Sequence, residues 1–324
     1  MTIWICWTCY IRKAMKFSHI PVMLNECMEG LNLKDNGVYF DCTLGYSQHT
    51  TEILKRTKNS IVYATDLDLL AIENAKTVQS EFPGRLITIH DNFKNFKRIA
   101  ENLSIDKFDG ILVDLGVSSM QLDMRERGFS YLADSEKLDM RMNEEQSFSA
   151  LDVVNGYSRE KLIYILKMYG EEKFAVQIVQ NILKFRESKR LETCGELVRI
   201  IESSIPKKFQ TGGHPAKRTF QAIRIEVNGE LEGLDEALRD MVAKLKVGGR
   251  LAVLTFHSLE DRIVKNTFRD LNLDCVCDKS LPVCVCGRRK QVELVNRKPI
   301  IATSEEQSFN TRSKSAKLRV VEKL

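Results

Sequence analysis

Three times in the first 115 residues an apolar run of strand length ends on an aspartate: Val38-Tyr39-Phe40-Asp41, Ile61-Val62-Tyr63-Ala64-Thr65-Asp66 and Ile111-Leu112-Val113-Asp114. Runs without polar alternation read as strands buried on both faces, the condition of a parallel sheet covered by helices. In open α/β sheets the ligand crevice lies beyond the carboxyl ends of the strands. One aspartate there is commonly a helix cap; three in series predict a site.

The segments between these runs support that sheet. Helical spacing covers residues 22–31, 51–57, 69–80 and 96–102, and further strands are expected at 85–90 and 109–114. Strand and helix alternating at this interval predict a right-handed, doubly wound, mostly parallel Rossmann-like α/β sheet. Between residues 124 and 208 the alternation stops and only helical patterns remain, at 159–168, 173–185 and 194–204. A helix at 231–245, a Gly248-Gly249 turn and a strand at 250–256 follow, with a last strand at 318–321. The expected organisation is one α/β domain in two parts, 15–123 and 214–324, with an all-helical insertion at 124–213. The insertion leaves the sheet just past the carboxyl end of a strand, so it is expected to overhang the crevice.

Composition narrows the class. A chain of 324 residues, 43% hydrophobic, can bury a large core. No apolar run is long enough to cross a bilayer, so no membrane span is expected and a cytoplasmic location is the natural reading. The first fourteen residues, MTIWICWTCYIRKA, are apolar but have neither a basic leader nor a small-residue cleavage site. Met15 precedes the expected domain start, so a mis-assigned initiation codon is preferred over a peripheral anchor. From Leu281 onward ten Lys/Arg stand against four Asp/Glu, which makes a basic C-terminal tail and favours an acidic partner, most simply nucleic acid. Monomer and homodimer both remain open.

Nine scattered cysteines suit reduced thiols better than a disulfide framework. One cluster stands apart. Cys275, Cys277, Cys284 and Cys286 fall within twelve residues and are candidate zinc ligands, although Cys-x-Cys pairs meet a tetrahedral ion less commonly than Cys-x-x-Cys.

The turn after the first strand, Asp41-Cys42-Thr43-Leu44-Gly45, and Asp66 at the end of the second match a nucleoside site, with a close-approach turn and an acid for ribose hydroxyls. A nicotinamide cofactor and S-adenosylmethionine both satisfy that scheme. Only Gly45 would let the backbone approach a pyrophosphate, because Tyr46, Ser47 and Gln48 occupy the next positions. The methyl donor needs no pyrophosphate contact, which tilts the reading toward it.

Longer blocks carry a resemblance. They are 109–123 (DGILVDLGVSSMQLD), 127–130 (RGFS), 138–142 (LDMRM), 169–174 (YGEEKF), 214–228 (HPAKRTFQAIRIEVN), 256–262 (FHSLEDR) and 312–319 (RSKSAKLR). From about residue 17 to the end the chain resembles the ribosomal RNA small subunit methyltransferase H family, which methylates the 4-amino group of a decoding-centre cytidine in 16S rRNA. The resemblance implies a class I methyltransferase fold, S-adenosylmethionine as donor, and 16S rRNA or the small ribosomal subunit as partner. It implies that Gly45, Ser47, Gln48 and His49 form the donor turn, that Asp66 takes the ribose, that Phe93 lies against the adenine, and that Asp114 and Gln121 complete the pocket. The family turn is usually glycine-rich up to its histidine, whereas Ser47 and Gln48 fill two of those places here. The alternative reading is therefore a divergent paralogue with a decayed donor pocket that binds rRNA during ribosome assembly.

For the chemistry, Asp114 is the candidate catalytic residue, orienting the acceptor amine. Many amino-methyltransferases place Asp/Asn-Pro-Pro-aromatic there, and this chain reads Asp114-Leu115-Gly116-Val117. Phe256, His257 and Ser258 are candidates for contacts to an extruded base or its phosphate, and Lys217, Arg218 and Arg224 for phosphate. Arg224 or Glu226 pairing internally is the bland counterpart, and Glu260, Asp261 and Arg262 read as a structural ion-pair network.

Overall fold

The computed structural model describes residues 20–278 and 283–324. The apolar segment 1–14 and Met15 lie outside the described residues. Strands β1 (Val38–Asp41), β2 (Ile61–Asp66), β3 (Leu86–His90), β4 (Phe108–Asp114) and β5 (Leu245–Thr255) run parallel. Strand β8 (Lys317–Lys323) returns antiparallel along β5, and the short β6 (Val292–Leu294) and β7 (Ile300–Ile301) pair with β8. The order β3-β2-β1-β4-β5-β8-β6 puts the switch in winding direction between β1 and β4, where a crevice opens at the strand ends.

Strand periodicity explains why these runs are continuously apolar. Ile111 and Val113 on β4 and Leu251 and Val253 on β5 face one cluster, while Leu112, Ala252 and Leu254 face another. Successive side chains alternate sides, so a strand covered on both faces has no polar position to spare. The first face is covered by α4 (Phe96–Asn102), α11 (Leu234–Ala243) and α12 (Ser258–Leu271). The second is covered by α1 (Leu24–Leu31), α2 (Gln48–Arg56) and α3 (Leu69–Glu81).

After the short α5 (Ser119–Asp123) the chain leaves the sheet and builds α6 (Ala150–Gly156), α7 (Arg159–Met168), α8 (Ala175–Arg186), α9 (Cys194–Ser204) and α10 (Lys217–Asn228). These share a separate apolar cluster, including Val153, Leu166, Ile178, Leu197 and Ile223. Phe220, Ile223 and Val227 of α10 belong to it, so the packing of the helical part extends past residue 213. A single bridge, Lys137 to Thr193, is the strand-like pairing there among the described residues.

Three local expectations shift. Helix α2 begins at Gln48 rather than 51, because Ser47 takes a left-handed φ of 60° that turns the chain straight into the helix. Strand β5 begins at Leu245, so Gly248 and Gly249 lie inside it, where the register against β4 slips. A Cβ at Gly249 would stand 3.1 Å from the carbonyl oxygens of both Phe108 and Asp109, which is why a strand position carries no side chain there. The C-terminal stretch is no free tail. It forms β8, and several of its cations are committed: Lys317 and Arg319 both pair with Asp261 (3.0 and 2.7 Å), and Arg312 with Asp123. Among the described residues no helix is long and apolar enough to cross a membrane.

Candidate active site

A cavity of about 600 Å³ lies between the carboxyl ends of the strands and the helical part. That volume suits a nucleoside-sized ligand together with a second group. One wall is the turn after β1 with the ends of β2 and β4; the other includes Tyr131, Met142, Phe220 and Asn228.

The turn is held by backbone hydrogen bonds to neighbouring strand ends. Gly45 N–H donates to Asp66 Oδ2 at 2.8 Å, and Leu44 N–H to Thr65 O at 3.0 Å. Gly45 itself has φ +49°, a conformation a side chain would strain. Asp66 Oδ1 accepts from Asp68 N–H at 2.9 Å. Burial pushes its carboxyl up to about 6 against the pull of these donors. Because a carboxylate offers about four lone-pair sites, two donors leave Asp66 capacity for a hydroxyl pair in the cavity.

The three aspartates of the apolar runs have separate fates. Asp66 and Asp114 line the cavity, while Asp41 sits beneath it, accepting from Thr50 Oγ1 (2.6 Å) and Thr43 N–H (3.1 Å). Burial pushes Asp41 up to about 7. Its neighbour Thr43 spends its own oxygen on Asp114 N–H at 2.9 Å, so Asp41 is a brace for the turn.

Asp114 is the least satisfied group in the site. Its Oδ1 has no hydrogen-bond partner among the described residues. Its Oδ2 lies 3.8 Å from His49 Nδ1. Burial, then the charges of Asp41 and Glu260, push this carboxyl up to about 8. Protein encloses it, yet 26% of its side chain still faces the cavity, so water there tempers the rise. His49 Nε2 lies 3.2 Å from Val22 O. A carbonyl only accepts, so Nε2 carries a hydrogen, and Nδ1 is the ring nitrogen on the Asp114 side.

Gln48, His49, Phe93 and Gln121 also line the cavity. The Gln121 amide is committed, its Nε2 to Asp68 at 3.1 Å and its Oε1 to Ser118 N–H at 3.0 Å. Asp68 is buried and paired with Arg127 at 2.7 Å, so Gln121 contributes through a fixed network. Ser47 is not a lining residue. Its hydroxyl is turned inward and buried with no partner among the described residues.

Of the acceptor-side candidates, Lys217, Arg224, Phe256 and His257 reach the cavity and Arg218 and Ser258 do not. Arg218 donates to Glu171 O (3.2 Å) and Ser258 to Glu171 Oε2 (3.2 Å), both outside the rim. Arg224 is clamped by Glu230 through two 2.8 Å hydrogen bonds, a fork geometry that keeps it charged and in place. Its internal partner is therefore Glu230, while Glu226 accepts from Tyr157 instead. His257 is the N-cap of α12, its Nδ1 accepting from Glu260 N–H at 3.4 Å. Its Nε2 lies 3.0 Å from Glu260 Oε1 but off the line of a hydrogen bond. Burial would raise Glu260, yet His257, the Phe256 N–H and Arg224 hold it below the usual carboxylate range. Glu230, His257 and Glu260 come close enough together to suggest a metal, but Arg224 already occupies both Glu230 oxygens and backbone donors occupy Oε2 of Glu260.

Lys94, Glu230 and Arg312 also line the cavity, and sequence reasoning did not single them out as site residues. Arg312 opens the 312–319 block and was visible there. Lys94 follows Phe93 directly and donates to Gly229 O, a contact that no local pattern announces.

A model of the MraW methylase family matches residues 16–324. The chain belongs to that family. Among its relatives, a Clostridium botulinum (strain Loch Maree / Type A3) protein named ribosomal RNA small subunit methyltransferase H is 52% identical over 311 residues, 96% of this chain and 100% of the relative. A protein of the same name from Clostridioides difficile (strain 630) is 49% identical over 312 residues, with the same coverage of each. Solved structures give looser likenesses. A putative rRNA-methylase from Clostridium thermocellum aligns with 94% of this chain and 100% of its own at 13% identity and TM-score 0.45. A putative methyltransferase from Streptococcus mutans in complex with SAH does so over 94% and 100%, at 12% identity and TM-score 0.42. The methylase family therefore stands on the sequence match, and the doubly wound α/β architecture on the strand order described above.

Proposed function

We propose that this chain, acting in the cytoplasm, transfers a methyl group from S-adenosylmethionine to the 4-amino group of a decoding-centre cytidine in 16S rRNA. The relatives' name supports ribosomal RNA of the small subunit as substrate. The observation that carries the reaction is the buried, unpartnered Oδ1 of Asp114 on the cavity between the sheet and the helical part.

The donor set fits a sulfonium nucleoside. Asp66 retains lone pairs for a ribose diol, Phe93 offers an apolar ring for a base, and the carboxyl of Asp114 is suited to a neighbouring cation. Bound there, S-adenosylmethionine supplies an electrophilic methyl. The protein's part is alignment, because in-line displacement depends on holding the reacting atoms collinear. The cytidine amine delocalises its lone pair into the ring. An acceptor at Asp114 would take an N–H of that amine and favour the pyramidal, nucleophilic form. Phe256, which lines the cavity, would stack on an extruded base, and the exposed Lys217 on the same cavity would meet phosphate.

The second reading, a scaffold with a decayed donor pocket, rests on Ser47 and Gln48. An open cavity and an inward-turned Ser47 favour the enzyme. Incubating the protein with labelled donor and small ribosomal subunits lacking the modification, then resolving nucleosides by mass spectrometry, tests both. Labelled 4-methylated cytidine supports the enzyme. Absence of label together with no calorimetric binding of donor at millimolar concentration leaves the scaffold.

A further inference from the structure

Between α12 and β6 the described residues, 272–278 and 283–291, form two limbs of a finger-like excursion with no regular secondary structure. Its stem is pinned. Gln291 N–H donates to Leu271 O at 2.9 Å, Asn272 Nδ2 to Val292 O at 3.0 Å, and Arg288 pairs with Asp270 at 2.8 Å. Beyond the stem, nothing apolar among the described residues holds it together. Val276, Val283 and Val285 are 55%, 70% and 77% exposed, so hydrophobic burial does not order the tip.

The tip nevertheless gathers four thiols. The Sγ atoms of Cys275, Cys277, Cys284 and Cys286 all lie within 4.8 Å of one another. Cys284 Sγ is 3.4, 3.9 and 3.5 Å from those of Cys275, Cys277 and Cys286, and Cys286 is 3.8 Å from Cys275. Tetrahedral zinc with Zn–S bonds of about 2.3 Å sets its sulfurs about 3.8 Å apart, whereas a disulfide needs about 2.05 Å. Backbone amides point at the sulfurs as they do around metal thiolates: Cys277 N–H to Cys275 Sγ at 3.3 Å, and Val285 N–H to Cys277 Sγ at 3.4 Å. Four thiolates around one divalent ion leave a net negative cluster, and Arg288, Arg289 and Lys290 follow Cys286 after one glycine. The other described cysteines, Cys27, Cys42 and Cys194, are buried elsewhere as apolar side chains.

We propose that Cys275, Cys277, Cys284 and Cys286 bind one structural zinc ion that staples this finger and fixes its basic edge. Closed four-thiolate coordination leaves no open position, so the ion is structural. The Cys-x-Cys spacing is accommodated because each pair lies on a separate limb of the finger and the limbs meet at the sulfurs.

Full-length protein purified under reducing conditions without chelator should carry one zinc per chain by elemental mass spectrometry. The double variant Cys284→Ser with Cys286→Ser should lose that zinc, while Cys27→Ala should keep it. Stripping the metal should speed tryptic cleavage after Arg288, Arg289 or Lys290 by about tenfold or more, since the stapled limbs open without unfolding the sheet. The proposal is overturned if the reduced protein carries no zinc and takes none from a chromogenic chelator. Iron in place of zinc, or disulfides among these four residues in non-reducing peptide maps, overturns it equally. Methyl transfer does not enter any of these readouts.

Discussion

The sheet wall of the cavity and its helical wall hold their polar groups by different means. On the sheet wall, backbone amides do the holding: Asp66 accepts from Gly45 and Asp68, and Asp41 from Thr43. On the helical wall, side chains hold one another, as in the fork between Arg224 and Glu230. Each wall also rests on its own apolar cluster. Backbone-held groups cannot relax without moving a strand, whereas side-chain pairs can re-form around a large guest. The contrast suits a small invariant donor on the first wall and a macromolecular acceptor on the second.

The largest expected effect is for Asp114→Asn, which keeps shape but removes the ionisable carboxyl. It should lower kcat by roughly 10²–10⁴-fold, the usual range for a positioned proton acceptor, and weaken donor binding as well, because the same carboxyl belongs to the donor set. The same variant has a stability signature. The carboxyls of Asp114, Asp41 and Asp66 are raised to about 8, 7 and 6. Below about pH 4 both folded and unfolded chains are protonated. From there upward the unfolded chain ionises first, so stability falls as pH rises toward 8. Melting temperatures recorded across that window should fall less steeply in Asp114→Asn. An unchanged slope would refute the raised carboxyl.

Ile178→Ala tests whether the walls are independent. Deleting a fully buried side chain from the helical cluster should cost about 2–5 kcal/mol of its stability and weaken rRNA methylation. Donor binding, followed by calorimetry, should be preserved; parallel loss of both would mean that the two walls fold as one. Asp66→Ala is the converse. It should weaken donor binding by about 10–100-fold, consistent with losing charge-assisted hydrogen bonds, while leaving rRNA affinity in place by filter binding. The smallest effect is expected for Ser47→Gly. Relieving a left-handed serine and a buried unpaired hydroxyl should stabilise the fold by about 1 kcal/mol, net of the entropy glycine adds to the unfolded chain, readable in denaturant melts.

Much of the sheet was legible because a strand buried on both faces leaves an unbroken apolar signature. The runs at 38–41 and 61–66 match β1 and β2 residue for residue. The start of β5 was hidden, since Lys246, Val247 and the glycine pair look like a turn and are paired only through β4 and its bulge. In the site, Asp66 and Asp114 were visible as acids at strand ends. Their neighbour Asp41 carries the same local signature, yet Thr50 and Thr43 claim it. The left-handed Ser47, the Arg224–Glu230 fork and the capping role of His257 were invisible, because each depends on what surrounds the residue in space.

The alternation of strand and helix, the acids at the strand ends and the helical interruption are legible from the chain alone, in periodicities of two and 3.6 residues. Which acid faces the cavity, which cation is already paired and which cysteines meet follow from packing instead. Those outcomes depend on distances through space, some between near neighbours such as Cys275 and Cys284 and others across the chain such as Arg319 and Asp261, and such distances come into being only when the chain folds.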